Sequence, residues 1–244
     1  MTALSCIAYA AWIFLAAFLF RGCLPPFVGK NDSGRAMRPV RDIGVACLAA
    51  GAFFFVPPGS LPPFLNYPWG GLVFLGCLAL SALLARERAS AVPLLLAGCV
   101  ALVFFWYARQ RGMPGSAANL GTFTGMPVWG IAPARHICGF LLLAAGFLAA
   151  ARALFDGCRS SHAATLRCFA VCALFVALFA PWNTAPYVRW PDSLVAGCDF
   201  MLFWGKVFGV AAVLLLLPPV QAGGRRLSFF CCTVGSALII IPAG

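Results

Sequence analysis

The residue that invites a chemical reading first is Lys206, set in Phe203-Trp204-Gly205-Lys206 within an otherwise apolar run. An ammonium in such a run costs about 2.5–3.5 kcal/mol on insertion scales, so it needs a reason. Asp199 precedes it by seven residues; on a helix this puts both on one face, about 10 Å apart along the axis. Direct pairing would need side-chain reach. Lys206 is therefore expected to snorkel or to hydrogen-bond the backbone of a neighbouring helix, or else to serve a functional or inter-subunit role. Two further acids sit among arginines: Asp42 follows Arg38 and Arg41, and Asp156 lies between Arg152 and Arg159. Local ion pairs explain both, and a sharper reading makes them part of a surface on which a soluble partner docks.

Other chemistries are poorly supplied. A shared haem needs two imidazoles at one membrane depth, whereas the only histidines, His136 and His162, flank one apolar run and are expected roughly 30 Å apart. Twelve cysteines are present, yet none forms a C-x-x-C pair. Cys168 with Cys172, and Cys231 with Cys232, are expected to pack as small apolar residues. There is no phosphate loop, no H-E-x-x-H, and no credible Ser/His/Asp set among six acids and two histidines. The chain is expected to hold no catalytic centre, cofactor or metal of its own.

The elements that must position these residues follow from composition. The chain has 244 residues, 63% of them hydrophobic and only 9% charged, with mean hydropathy +0.96. Soluble domains average about 45–50% and about 25%, so a water-facing surface cannot be built from this chain. Apolar stretches place eight spans at Leu4–Phe20, Ile43–Val56, Gly70–Leu84, Val92–Tyr107, Ile137–Leu154, Leu166–Ala180, Leu194–Leu217 and Leu227–Pro242. Uniformly apolar runs of this length predict helices rather than barrel strands. The expected fold is one all-α, polytopic transmembrane domain. The first run has no Lys or Arg before it, so it reads as a retained helix rather than a cleaved signal.

Basic residues give the orientation. The odd-numbered loops hold Arg21, Lys30, Arg35, Arg38, Arg41, Arg86, Arg88, Arg152, Arg159, Arg167, Arg225 and Arg226; the even-numbered ones hold only Arg109, Arg111, Arg135 and Arg189. By the positive-inside rule the odd loops are cytoplasmic and both termini lie outside. The net charge of +11 is then topology rather than a nucleic-acid site. The outer loops are rich in Gly and Pro, with Trp69, Trp106 and Trp129 near the expected interface.

Several segments, in order, resemble the subunit 1 family of complex I and its counterparts in membrane-bound NiFe hydrogenases and formate hydrogenlyases. Gly34-Arg35-Ala36-Met37-Arg38-Pro39-Val40-Arg41-Asp42 is similar to the family's glycine/arginine stretch and Q-P-x-x-D before the second helix. Arg152-Ala153-Leu154-Phe155-Asp156 resembles R-A-P-F-D closing the fifth, Lys206 a lysine of the seventh, and Arg225-Arg226-Leu227 the arginine-rich start of the eighth. The family glutamate shortly before the fifth-helix arginine is replaced by Ala149, the acidic loop by Gly157-Cys158-Arg159-Ser160-Ser161-His162, and a lysine after Asp42 by Val45.

The resemblance implies a reduced member in the cytoplasmic (inner) membrane: an anchor and docking subunit, non-catalytic itself, of a multisubunit oxidoreductase. It implies partners in membrane lipid, in other membrane subunits, and in soluble hydrogenase-like or quinone-oxidoreductase-like subunits on the cytoplasmic face. Iron–sulfur clusters and a NiFe centre would belong to those partners, and with the acidic loop missing, quinone binding is not assigned. With Lys206 as the single mid-membrane charge of the reading, proton translocation is assigned to other subunits. The docking candidates are Arg35, Arg38, Arg41, Asp42, Arg152, Asp156, Lys206, Arg225 and Arg226. The alternatives are a stand-alone small-solute transporter, motivated by Lys206 and abundant Gly and Pro, and a membrane assembly factor using Cys23 and Cys158.

Overall fold

Backbone surrounded by hydrocarbon must satisfy its N–H and C=O groups within one segment, and the apolar runs accordingly fold as helices. The computed structural model describes residues 3–23, 39–55, 70–85, 92, 94–96, 98–99, 134–155, 162–180, 191–217 and 222–240. The helices are α1 (Ala3–Cys23), α2 (Pro39–Ala52, continued by a 3-10 turn at Phe53–Phe55), α3 (Gly70–Leu84), α4 (Ala134–Phe155), α5 (His162–Phe179), α6 (Asp192–Leu216) and α7 (Ala222–Ile240). No strand occurs among the described residues. Among the described residues, four stretches are long and apolar enough to cross a membrane: Ala3–Gly22, Ile137–Phe155, His162–Phe179 and Ser193–Leu216. Three shorter apolar helices, Asp42–Phe55, Gly70–Leu84 and Arg226–Ile239, stand with them. The chain is a helical membrane protein. Of the expected span Val92–Tyr107 only six residues are described, all helical, and Trp69, Trp106 and Trp129 lie outside the described residues.

Most helices overrun the apolar runs that announce them. Arg21 lies in the last turn of α1, Asp42 in the first turn of α2 and Arg152 in the last turn of α4. Hydrogen bonding continues past the first charge, because a long side chain can reach water from inside the helix. The signs also suit the helix dipole, acid at the start and base at the end.

At the centre stands α5. Its sequence alternates small and bulky apolar residues, with Ala163, Ala164, Cys168, Ala170, Cys172, Ala173 and Ala177 allowing neighbours to approach on all sides. It is buried without a break from Ala163 to Leu174 and packs against α1, α2, α3, α4 and α6. The other long helices bury one face and turn large apolar side chains outward, such as Leu4 and Ile7 on α1 and Met201 and Leu216 on α6.

Aromatic rings join four of these elements. Trp204 of α6 stacks on Phe53 at 5.9 Å and meets Trp12 of α1 edge-on at 5.9 Å. Phe169 of α5 reaches Phe20 of α1 at 4.9 Å and Phe208 of α6 at 5.3 Å. Each such pair adds about 0.5–1.5 kcal/mol beyond the area it buries.

The helices α4 and α7 meet differently, backbone to backbone. A Cβ on Gly235 would fall 2.6 Å from the Gly139 carbonyl oxygen, and one on Gly146 would fall 2.9 Å from that of Ser228. The pairing of Gly139 with Gly235, and of Gly146 with Ser228, makes the two helices antiparallel. Ser228 Oγ donates to the Gly146 carbonyl at 2.7 Å across the seam. Small residues here do what they do in membrane helix pairs generally: they let backbones touch where hydrocarbon offers no hydrophobic drive.

Candidate functional site

Two prolines create the first part of the site. Leu217 precedes Pro218 and Ala180 precedes Pro181, and a residue before proline is pushed out of the helical region. Leu217 is accordingly extended, at φ −64° and ψ 142°, and ends α6. The last carbonyls of a helix have no partner inside it. Arg152, in the last turn of α4, donates Nε–H to the Leu217 carbonyl at 2.9 Å. Lys206, in α6, donates from Nζ to the Ala180 carbonyl at 3.2 Å, just past the end of α5. Each cation therefore caps the C-terminus of a neighbouring helix, at the negative end of its dipole. A third contact of the kind is weaker: Cys168 Sγ lies 3.7 Å from the Leu154 carbonyl in the last turn of α4.

Lys206 thus follows one course open to it in the sequence, binding backbone of an adjoining helix. It is not the only charge held among the helices. Arg167 is 1% exposed and is the largest fully buried side chain among the described residues; Asp199 is also 1% exposed, and Arg152 8%. The loop-by-loop charge count places Arg167 with the inner loop, and the structure corrects this. Helix α5 begins at His162, more than a turn earlier, and α5 lies at the centre of the packing, so the guanidinium is inside the protein. The one sequence sign of this is an arginine immediately followed by Cys168-Phe169-Ala170-Val171 with no acid nearby. Burial of Asp199 has no sequence signal, since it depends on which face of α6 meets α1 and α5.

The remaining candidates are dispersed. Asp42 is half-buried in the first turn of α2, and its Oδ1 has no hydrogen-bond partner among the described residues. Arg226 is exposed on α7. Arg41 and Arg225 lie in the helical backbone of α2 and α7, their side chains outside the description, while Arg35, Arg38 and Asp156 lie outside the described residues altogether. The structure brings the ends of α4 and α6 together through Arg152, and Cys168 of α5 touches the same last turn of α4 at the Leu154 carbonyl.

The histidines bracket α4 and the link to α5. His162 opens α5, exposed, with its ring stacked on Phe18 at 6.3 Å; α4 is 22 residues long, or about 33 Å. Among the described residues no three His, Cys, Asp or Glu side chains gather as a metal site. No disulfide joins any of the ten described cysteines, of which Cys168, Cys172 and Cys232 are buried; Cys23 and Cys158 have no described side chain. No protein-family model matches this sequence, and no curated protein is recognisably similar to it.

Proposed function

We propose that this chain is the membrane anchor and docking subunit of a complex-I-related oxidoreductase or energy-converting hydrogenase complex. In this reading it spans the cytoplasmic membrane eight times with both termini outside. The soluble redox subunits, with their iron–sulfur clusters and NiFe centre, sit on the basic inner face. The observation that carries the proposal is the role of Arg152. The arginine of the Arg152–Asp156 motif ties the end of α4 to the end of α6, at the end of α4 where the basic loops are expected. A docking platform needs such a rigid inner end, built by interhelix caps rather than by loops. The order of the other motifs, from Arg35 to Arg226, supports the same reading.

Proton or ion movement belongs to other subunits in this proposal. The buried Arg152 and the half-buried Lys206 are engaged with helix-end carbonyls, which suits a structural part better than a titrating one. Affinity purification of the tagged chain in mild detergent tests the assignment: iron–sulfur and hydrogenase-type or quinone-oxidoreductase-type subunits should accompany it. A stable chain recovered free of such partners refutes it. Charge reversal at Arg38 or Arg41 should loosen the soluble subunits in a salt-dependent way, since exposed charges are screened over about 8 Å at physiological ionic strength.

A further inference from the structure

The hydrocarbon of a bilayer is about 30 Å thick, and the helices of this protein do not all reach across it. The apolar stretches Ala3–Gly22 of α1 and Ser193–Leu216 of α6 have 20 and 24 residues, about 30 and 36 Å at 1.5 Å per residue. Helix α3 has 15 residues, about 22 Å. The apolar part of α2, from Ile43 through the 3-10 turn Phe53–Phe55, reaches about 21 Å. Each of the two falls short by about 8–9 Å. Their ends are closed in the sequence: Asp42 opens α2 and Pro57-Pro58 follow its turn, Pro68 stands two residues before α3, and Arg86 two residues after it. The third short helix, α7, differs, since no charged residue follows Leu227 in the sequence.

The two shortfalls coincide. A Cβ on Gly44, near the start of α2, would lie 3.6 Å from Leu84 Cδ1 at the end of α3, and the turn that ends α2 packs on α3. The helices are therefore antiparallel and in register, so neither makes up for the other by standing higher or lower, and tilting would only shorten their reach. Both also face outward. Ile43 is exposed on α2, and Leu72, Leu80 and Leu83 are half exposed on α3, with Gly76 open among them. Spaced four, four and three residues apart, Leu72, Gly76, Leu80 and Leu83 form one stripe along α3, whose other sides pack on α2 and α5.

We infer that the α2–α3 face is bordered by lipid in a locally thinned bilayer, whose apolar belt there is about 8 Å lower than the one that α1 matches. The composition of the stripe selects lipid over a partner helix. Where two helices of this chain meet most closely, at the α4–α7 seam, the contact is made by Gly139, Gly146, Ser228 and Gly235, the small residues on which membrane helix pairs depend. The α3 stripe is instead three leucines around one glycine, with no polar side chain to orient a partner. Around the molecule the bilayer therefore changes thickness, full at α1 and thin at α3. This border is independent of the proposed function, which stands or falls by its own test.

Matched positions on the two helices test it. Leu19 stands six residues past the middle of α1 and Leu83 six past the middle of α3, 52% and 50% exposed; Ile7 and Leu72, also exposed, stand six and five residues before those middles. A fluorescent residue is placed at one of the four sites in the full chain. The protein is reconstituted in phosphatidylcholine vesicles of about 30 Å hydrocarbon thickness, with bromine, a contact quencher, either next to the headgroup or at mid-chain. All four sites lie about 8–9 Å from the middle of their helix, which is mid-chain depth in a full bilayer and headgroup depth in a thinned one. At Leu72 and Leu83 the headgroup-side bromine should quench about twofold more than the mid-chain one, and at Ile7 and Leu19 the order should reverse. The same order at all four sites overturns the thinning. So does the absence of quenching by either bromine at Leu72 and Leu83, the result expected if a second copy covers the face. In native membranes a photo-crosslinking residue at Leu80 should yield lipid adducts, and a discrete adduct with another protein overturns the choice of lipid.

Discussion

The α4–α7 seam permits a quantitative contrast between glycines that touch and glycines that do not. In Gly235→Ala the new Cβ would lie 2.6 Å from the Gly139 carbonyl oxygen and 2.9 Å from the Leu143 nitrogen, both backbone atoms that no rotamer change can move aside. The helices must separate. Overpacking of this kind costs about 1–3 kcal/mol, and separation also weakens the Ser228–Gly146 hydrogen bond, worth about 0.6 kcal/mol for a typical interhelical bond in a membrane. Improved helix propensity returns about 1 kcal/mol, which leaves a net loss of about 0.6–2.6 kcal/mol by these terms. In Gly76→Ala nothing lies within 4 Å, so only the propensity gain remains and the change is neutral or stabilising by up to about 1 kcal/mol. Equilibrium unfolding of the purified full chain in mixed micelles of rising denaturing-detergent fraction, followed by tryptophan fluorescence, measures both. Gly139→Ala should track Gly235→Ala, because its Cβ meets Gly235 oxygen at 2.8 Å. Equal midpoints for Gly235→Ala and Gly76→Ala would refute the backbone-contact seam.

Three further outcomes follow from the packing. Arg152→Met removes the cap on α6 and should speed amide exchange at residues 213–217 by about tenfold, the loss of one charge-assisted bond, with exchange in α3 unaffected. Arg167→Met should lower the folded yield, since it removes a polar group that is 1% exposed and leaves the groups around it unsatisfied, at about 1–3 kcal/mol, while Arg226→Met on the exposed face of α7 leaves it unchanged; equal yields count against a buried role for Arg167. Trp204→Phe should cost less than about 1.5 kcal/mol, because its Nε1 has no hydrogen-bond partner among the described residues to lose. Trp204→Ala should cost about 3–5 kcal/mol by opening a cavity among Trp12, Phe53 and Phe169. A thermal melt separating the two variants checks this.

How far the sequence can be read depends on whether a property is local. The existence of the helices is legible, because run length and hydrogen-bond satisfaction are properties of a single segment; Gly70–Leu84 matches its apolar run residue for residue. Their ends are less so: α5 begins four residues before Leu166 and α7 five residues before Leu227, since an apolar run stops at its first charge and a helix does not. The caps are half legible. Pro181 and Pro218 mark where carbonyls must be left over, but that Lys206 and Arg152 reach them depends on which helices adjoin. The burial of Arg167 and Asp199 escapes the sequence for the same reason, as both are covered by helices distant in the chain. The docking candidates Arg35, Arg38 and Asp156 lie outside the described residues.

The central position of α5 bears on how the protein is made. A helix buried from Ala163 to Leu174 has no face suited to lipid once the fold is complete, yet it leaves the ribosome before α6 exists. During that interval Arg167 and a row of alanines and cysteines must wait in the membrane with only the preceding segments for company. Addition of α6, whose rings close over Phe169, ends the exposure. Biogenesis therefore has a defined vulnerable stage, between the synthesis of Phe179 and the arrival of Trp204, during which membrane quality control would meet an arginine that the finished protein never shows.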